Sequence, residues 1–229
     1  PAPHLAPQNC PLGKGGWLIM GQKIHPIGFR IGISEPWRSR WFARGEEYGD
    51  KLLLDYKVRK LIKNRFRMGI ISSVEIQRRS GRMTIILMTT RKGEVIGRGY
   101  ATRDALVTDL EEMTGLEVKL DIQEVRHWDL DAQTVAENLA AAIERRVSPR
   151  RQLKRIIENS MNAGAEGIKI QVSGRIDGAE MSRRLTQRQG RIPLQTLSAK
   201  CAYGFAEAKT TYGILGVKCW IYSGETVRL

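Results

Sequence analysis

Cysteine, histidine, acidic residues and long apolar runs are all scarce in this chain, and each scarcity excludes something. The 229 residues include 3 Cys, namely Cys10, Cys201 and Cys219, an odd number without Cys-x-x-Cys spacing. That argues against a disulfide framework and a structural zinc site, and makes a reducing interior the default. The 3 His, namely His4, His25 and His127, lack partners at metal or triad spacing, so no metal, cofactor or catalytic residue is expected and His127 reads as a loop histidine. No Gly-x-x-x-x-Gly-Lys-Ser/Thr loop occurs, which removes that route to nucleotide hydrolysis. No apolar run approaches the roughly 18 residues of a spanning helix, so no membrane partner is expected. The Trp17-Leu18-Ile19-Met20 cluster is too short for a signal-peptide core, and Met20-Gly21 is no myristoylation start because His25 stands where Ser or Thr is required.

What is present is positive charge. Against 24 Asp+Glu stand 38 Lys+Arg, a formal net charge of +14 with a pI near 10.0. Such a balance points to phosphate backbone before an anionic membrane surface. Residues 141–200 alone hold 13 Arg+Lys and 5 Asp+Glu, so the basic surface is local. Hydrophobic residues at 41% fit a globular protein.

The densest stretch is 148–175. Ser148 as N-cap, Pro149 at the first helical position and Ala163-Gly164 as the stop predict a helix, with Leu153, Ile156, Ile157 and Met161 as its buried stripe. Arg150 with Lys154 and Arg151 with Arg155 then project from adjoining faces of its first two turns. Cations there oppose the helix dipole by roughly 0.3–1 kcal/mol each, a cost that a polyanion reverses.

In chain order, residues 1–20 read as an irregular extension, with Met20 as the ancestral start. Residues 21–48 form a basic and aromatic arm. In it Lys23, His25, Arg30, Arg38 and Arg40 are candidate phosphate contacts, and Phe29, Trp37, Trp41 and Phe42 are suited to stacking. An amphipathic basic helix is expected over 50–66 with Leu53, Leu54, Tyr56, Val58, Leu61 and Ile62 as its apolar positions. A hairpin is expected over 71–78 and 83–90 around Ser80-Gly81-Arg82, and a half-buried strand over 116–122. Between them lies Gly97-Arg98-Gly99-Tyr100, followed by a helix buried through Leu106, Leu110 and Met113. Asp129-Leu-Asp-Ala opens a further helix, buried through Val135, Leu139, Ala142 and Ile143 and ending at Arg145-Arg146. Strands follow over 167–174, 196–203 and 215–222, with a short helix or turn over 178–184. Arg175, Arg183, Arg184, Arg188 and Arg191 keep that half positive, and Arg175, Arg183 and Arg184 are further candidate rRNA contacts.

Helix, two strands, glycine-basic loop, helix, strand resembles a KH module of the second type, whose loop backbone clamps a few single-stranded nucleotides. The usual loop is Gly-x-x-Gly. Here Tyr100 holds the second glycine position and Gly99 comes one residue early, so weak RNA binding or help from Arg98 is expected.

The series Gly21-Gln-Lys-Ile-His-Pro-Ile-Gly-Phe-Arg, Gly164-Ala-Glu-Gly-Ile-Lys-Ile-Gln-Val-Ser-Gly-Arg, Gly178-Ala-Glu, Gly190-Arg-Ile-Pro-Leu-Gln-Thr-Leu and Thr211-Tyr-Gly-Ile-Leu-Gly-Val-Lys-Cys-Trp-Ile-Tyr-Ser-Gly-Glu resembles bacterial-type small-subunit ribosomal protein S three. The resemblance implies an α+β chain, with a type II KH domain at 49–127 and a second α+β domain with a mixed sheet and two helices at 128–229. It implies binding to small-subunit rRNA in the head, where S ten and S fourteen would be neighbours. It also implies a place beside S four and S five at the mRNA entrance, where Arg150, Arg151 and Lys154 grip and help unwind message. No homo-oligomer is implied, and the location is the cytoplasmic bacterial ribosome, with an organellar ribosome as the alternative. Two competing classes are a nuclease, for which Asp129 with Asp131 and Glu111 with Glu112 read better as capping and solvated faces, and a free KH-type translational regulator.

Overall fold

The computed structural model describes residues 23–79 and 81–225. The extension at 1–20, with Cys10, lies outside them. Two four-stranded sheets each carry helices on one face, and each has its own core.

The first unit contains α2 (Glu46–Arg65), β2 (Ile71–Arg79), β3 (Arg82–Thr89), α3 (Lys92–Ile96), α4 (Ala101–Thr114) and β4 (Glu117–Glu124). The short strand β1 (Ser39–Arg40) of the arm pairs parallel with β2. β2 and β3 form the expected hairpin, with Arg79 opposite Arg82, and β4 joins β3 in parallel. Apolar alternation sets the buried face: Val74, Ile76, Met83, Ile85, Leu87, Val118 and Leu120 meet Val58 and Ile62 of α2 and Leu106 and Leu110 of α4. This is the α+β order expected of a type II KH module.

One detail of α2 differs. Its buried residues are Asp55, Val58 and Ile62, whereas Leu53 and Tyr56 stay 60% and 64% exposed. The sheet touches one narrow stripe of the helix, and positions 53 and 56 fall roughly a third to half a turn away from it.

The second unit follows through α5 (Ala132–Glu144) and α6 (Pro149–Asn162), then β5 (Gly167–Gly174), β6 (Arg183–Gly190), β7 (Ala199–Thr210) and β8 (Gly213–Glu225), in the sheet order β6-β5-β8-β7. Neighbouring strands here are antiparallel throughout, so the mixed sheet is the first one, where β1 and β4 run parallel to their neighbours. Leu139, Ile143, Leu153 and Ile157 pack on Ile168, Ile170, Val172, Val217 and Ile221. Asp131 caps α5, accepting from the Thr134 N–H at 2.9 Å.

The short helix or turn expected over 178–184 is a correction. A single turn at Ile176–Gly178 gives way to β6, which pairs along its whole length with β5, from Gly190 opposite Gly167 to Arg183 opposite Gly174. Ladder hydrogen bonds to a neighbouring strand outweigh local preference in a run of polar residues whose partner lies elsewhere in the sequence. β8 extends beyond 215–222 at both ends, and β7 begins only at Ala199 but runs on past 203, so that the two meet in a hairpin with Thr210 opposite Gly213.

The two units touch where the Gly69 N–H donates to Glu137 Oε2 at 2.8 Å. Beside this contact a cleft of about 770 Å³ is lined by Arg67, Arg91, Trp128, Asn138, Arg145 and Gln152, among others.

Candidate nucleic-acid interface

α6 holds the strongest cluster of charge. Pro149 and Leu153 are buried and Ile157 nearly so, which fixes the helix against the second sheet and turns Arg150, Arg151, Lys154 and Arg155 outward as exposed side chains. None of the four takes part in an ion pair among the described residues. No acidic residue stands in the first turn, and the Ser148 side chain, expected to cap, makes no capping bond. The dipole of α6 and the cations therefore add in one direction at its start. Just before it, Arg145 and Arg146 are also exposed, and Arg146 adopts the left-handed backbone with φ 61°. Arg155 leans away from the others, lining a shallow pocket with Trp128 and Asp129. Burial there raises the Asp129 carboxyl above its ordinary range.

The Gly97–Tyr100 loop joins α3 to α4. Gly97 has φ 72° and Gly99 φ 60°, and Tyr100 is itself left-handed at φ 66°. Position 100 thus keeps a conformation that glycine adopts freely and tyrosine does not. The Tyr100 ring is 54% exposed, with the Arg103 guanidinium 5.6 Å from its centroid. Arg98 is exposed in the same loop.

The arm divides into two kinds of residue. Lys23, His25, Arg38 and Arg40 are exposed; Arg40 lies 3.8 Å from Glu75, and the His25 Nδ1 accepts from the Gly28 N–H at the start of the short α1 (Pro26–Arg30). Burial, then the nearby Arg38 charge, hold the His25 imidazole below its ordinary range.

Arg30 is a correction. It is fully buried, and its guanidinium donates to five carbonyls, those of Pro26, Pro193, Leu194, Thr196 and Ala199. Buried and committed to these carbonyls, it is withdrawn from any phosphate at the surface. Arg175 is partly spent in the same way, donating to the Ala179 and Tyr212 carbonyls at 2.9 and 3.2 Å. Arg183 and Arg184 are exposed on the edge strand β6.

The stacking set also divides. Trp41 is held by Asp55, to which its Nε1 donates at 2.7 Å, while Trp37 and Phe42 are exposed. The sequence reading passed over Lys169, Tyr203, Lys218 and Trp220. For Lys169, Lys218 and Trp220 the signal was the strict alternation of Gly167-Ile-Lys-Ile-Gln-Val and Val217-Lys-Cys-Trp-Ile, which sends every second side chain away from the core, and Tyr203 follows from the pairing of β7 with β8.

Among the described residues no His, Cys, Asp or Glu cluster is arranged to hold a metal. Cys201 and Cys219 are buried and unpaired, and burial raises both thiols above their ordinary range. The chemistry on offer is display of fixed positive charge and aromatic rings on two folded units, which defines the class: an RNA-binding protein built from a KH module and a second α+β module.

Comparison with known proteins makes this particular. The KH domain family matches residues 57–129, and the family described as ribosomal protein S3, C-terminal domain, matches residues 139–221. Small ribosomal subunit protein uS3 of Finegoldia magna is 50% identical over 206 residues, covering 90% of this chain and 84% of the relative. The uS3 of Caldicellulosiruptor saccharolyticus is 49% identical over 209 residues, covering 91% and 94%, and that of Lawsonia intracellularis 49% over 208 residues, covering 91% and 97%. The chain belongs to the uS3 family of small-subunit ribosomal proteins. That family is a structural component of the ribosome and not an enzyme.

Proposed function

We propose that this chain is a structural constituent of the small ribosomal subunit in the bacterial cytoplasm, bound to rRNA in the head and lining the mRNA entrance. There Arg150, Arg151 and Lys154 hold incoming message. The division is at 49–127 and 128–229: the arm and the KH module meet rRNA, and the second module presents the entrance row and adds rRNA contacts through Arg183 and Arg184. Neighbours in this arrangement are S ten and S fourteen in the head and S four and S five at the entrance.

The observation that carries the reading is the unpaired state of the α6 cations on a helix anchored by Leu153 and Ile157. The anchored helix fixes where their stems emerge, so phosphates that bind them are kept along one face and re-pairing of a melted strand is disfavoured. Movement comes from translocation, and the row only biases it.

Replacing Arg150, Arg151 and Lys154 together by Ala is expected to leave the chain in the small-subunit fraction of a sucrose gradient and to slow translation through a stable hairpin. Equal translation of structured and unstructured messages by the variant would reject the entrance role. Absence of the wild-type chain from that fraction at moderate salt would reject the ribosomal role.

A further inference from the structure

The second sheet has one covered face and one partly exposed face, on which Lys169, Tyr203, Lys218 and Trp220 are half-buried. Ile168, Ile170, Val172, Val217, Cys219 and Ile221 belong to the core under α5 and α6, so the residues between them point the other way. The strand register then lays one row across all four strands, because Lys169 is opposite both Arg188 and Trp220, and Trp220 is opposite Tyr203. A second row runs Thr186, Gln171, Lys218, Phe205. Arg184 stands opposite Ser173 in the third.

The rings are close enough to form one surface. Tyr203 and Trp220 have centroids 5.5 Å apart at 53°, and His25 meets Tyr203 edge-on at 4.7 Å. The Lys169 ammonium lies 5.0 Å from the Trp220 centroid. Phe205 is 41% exposed, and a Cβ at Gly216 would stand 3.9 Å from its ring, so the floor beside it is bare. Among the described residues this face is closed at one end only, where Leu194 packs on Ala199, Cys201 and Tyr222 and α1 is tied down by Arg30. Lys169, Lys218, Arg184 and Arg188 share this face with Glu207 at its far edge, while the Glu166 carboxylate lies at the closed end beside Gly224 and Tyr222.

We propose that this face is a platform for single-stranded RNA, with bases stacked on Trp220, Tyr203 and Phe205 and phosphates on Lys169, Lys218, Arg184 and Arg188. The inference rests on the RNA-binding reading above and adds a surface that neither the α6 row nor the KH loop includes. Rings without the cations would suit a protein, and cations without the rings a duplex backbone. The combination on a flat sheet suits unpaired bases, whose faces are free to stack. The Lys169 stem is flexible, so its ammonium leaves the Trp220 ring to a base and follows the adjoining phosphate.

The test uses the full chain with a short fluorescent oligoadenylate over a range of salt. Trp220→Leu with Tyr203→Leu is expected to weaken binding about tenfold or more while the slope of log affinity against log salt stays unchanged, since no phosphate contact is removed. Lys169→Gln with Lys218→Gln should lower that slope by about 1.4. Crosslinking of a thiouridine-containing oligonucleotide to the wild-type chain should mark β7 and β8, a readout that does not depend on how the variants fold. Unchanged affinity in the ring variant together with no crosslink to β7 or β8 overturns the platform and leaves the proposed function standing if the α6 variant still loses binding. Protection of Lys169 and Lys218 from acylation by polyglutamate as well as by RNA, with the ring variant unaffected, also overturns it in favour of an acidic protein partner. A wild-type chain that binds no oligonucleotide at any salt overturns the RNA-binding reading itself.

Discussion

The Nε of Arg30 donates to the carbonyl of Ala199 over 2.8 Å, across 169 residues of sequence, in a site with no solvent. Nη1 donates to one further carbonyl and Nη2 is shared among three, so one side chain fastens the arm to the 193–199 loop of the second unit. Removing it strands those acceptors in the interior. Arg30→Met is therefore expected to cost about 3 kcal/mol in urea unfolding, and to leave the salt slope of RNA binding by the folded protein unchanged. Wild-type stability with a reduced slope would return Arg30 to the RNA.

Asp55 plays the matching part in the first unit. Its carboxylate accepts from Arg78 Nη2 at 2.6 Å, Trp41 Nε1 at 2.7 Å and Ser39 Oγ at 3.1 Å, joining the arm and β2 to α2. Asp55→Ala leaves the buried Arg78 charge without its partner and should destabilise by roughly 3–5 kcal/mol, whereas Asp55→Leu with Arg78→Met should lose much less. Equal losses in the single and double variants, measured by denaturant unfolding, would show that the pair acts by shape alone.

How much of this was readable beforehand varied with the kind of signal. The hairpin at 71–89, the α5 cap at Asp131 and the stripe of α6 were legible because local chemistry and burial agree there: alternation, a capping carboxylate and three- and four-residue spacing all match the tertiary contacts. β6 was not legible, since Arg183-Arg-Leu-Thr-Gln-Arg-Gln-Gly offers Leu185 as its one strongly apolar side chain and takes its form from β5. Arg30 was misread for a related reason. An arginine between glycines and aromatics looks alike whether it faces a phosphate or five carbonyls, and the acceptors lie more than 160 residues away apart from that of Pro26. The α6 row was legible because four exposed cations on one helix need no distant partner to define them.

The KH loop makes a separate prediction. A Cβ at Gly97 would run into Thr102 Oγ1, so Gly97→Ala should destabilise by about 2 kcal/mol, with partial recovery when Thr102→Ala is added. At position 100 the argument reverses. The left-handed backbone costs tyrosine roughly 1–2 kcal/mol, and the added freedom of an unfolded glycine returns about 0.4–1 kcal/mol of that. Tyr100→Gly should raise stability slightly and strengthen single-strand RNA binding by opening the approach to the loop. Flat or weaker binding in a titration would mean that the Tyr100 ring itself contributes a contact.

His25 supplies a pH dependence. Its imidazole sits below its ordinary range in the folded chain, first because of burial and then because of Arg38. Between the folded and unfolded values the unfolded chain binds more protons, so stability rises with pH in that window and is lost as pH falls through the ordinary imidazole range. Unfolding midpoints at pH 5 to 8 should show this loss in the wild type and a shallower one in His25→Gln. Parallel profiles for the two proteins would remove His25 as its source.

The α6 row can be tested apart from the ribosome. Arg150, Arg151 and Lys154 are exposed and form no ion pair among the described residues, so replacing all three by Ala should change unfolding stability by no more than about 0.5 kcal/mol per site, with a gain in sign from Arg150 and Arg151, which oppose the helix dipole in the first turn. Each lost phosphate contact should lower the salt slope of single-strand binding by about 0.7, or about 2 for the three. The two effects run in opposite directions, a slightly more stable protein that binds RNA less steeply with salt. That separates a functional row from one that supports the fold. A variant that is clearly less stable, with its salt slope intact, would assign these cations to the structure of α6 and leave the entrance without its grip.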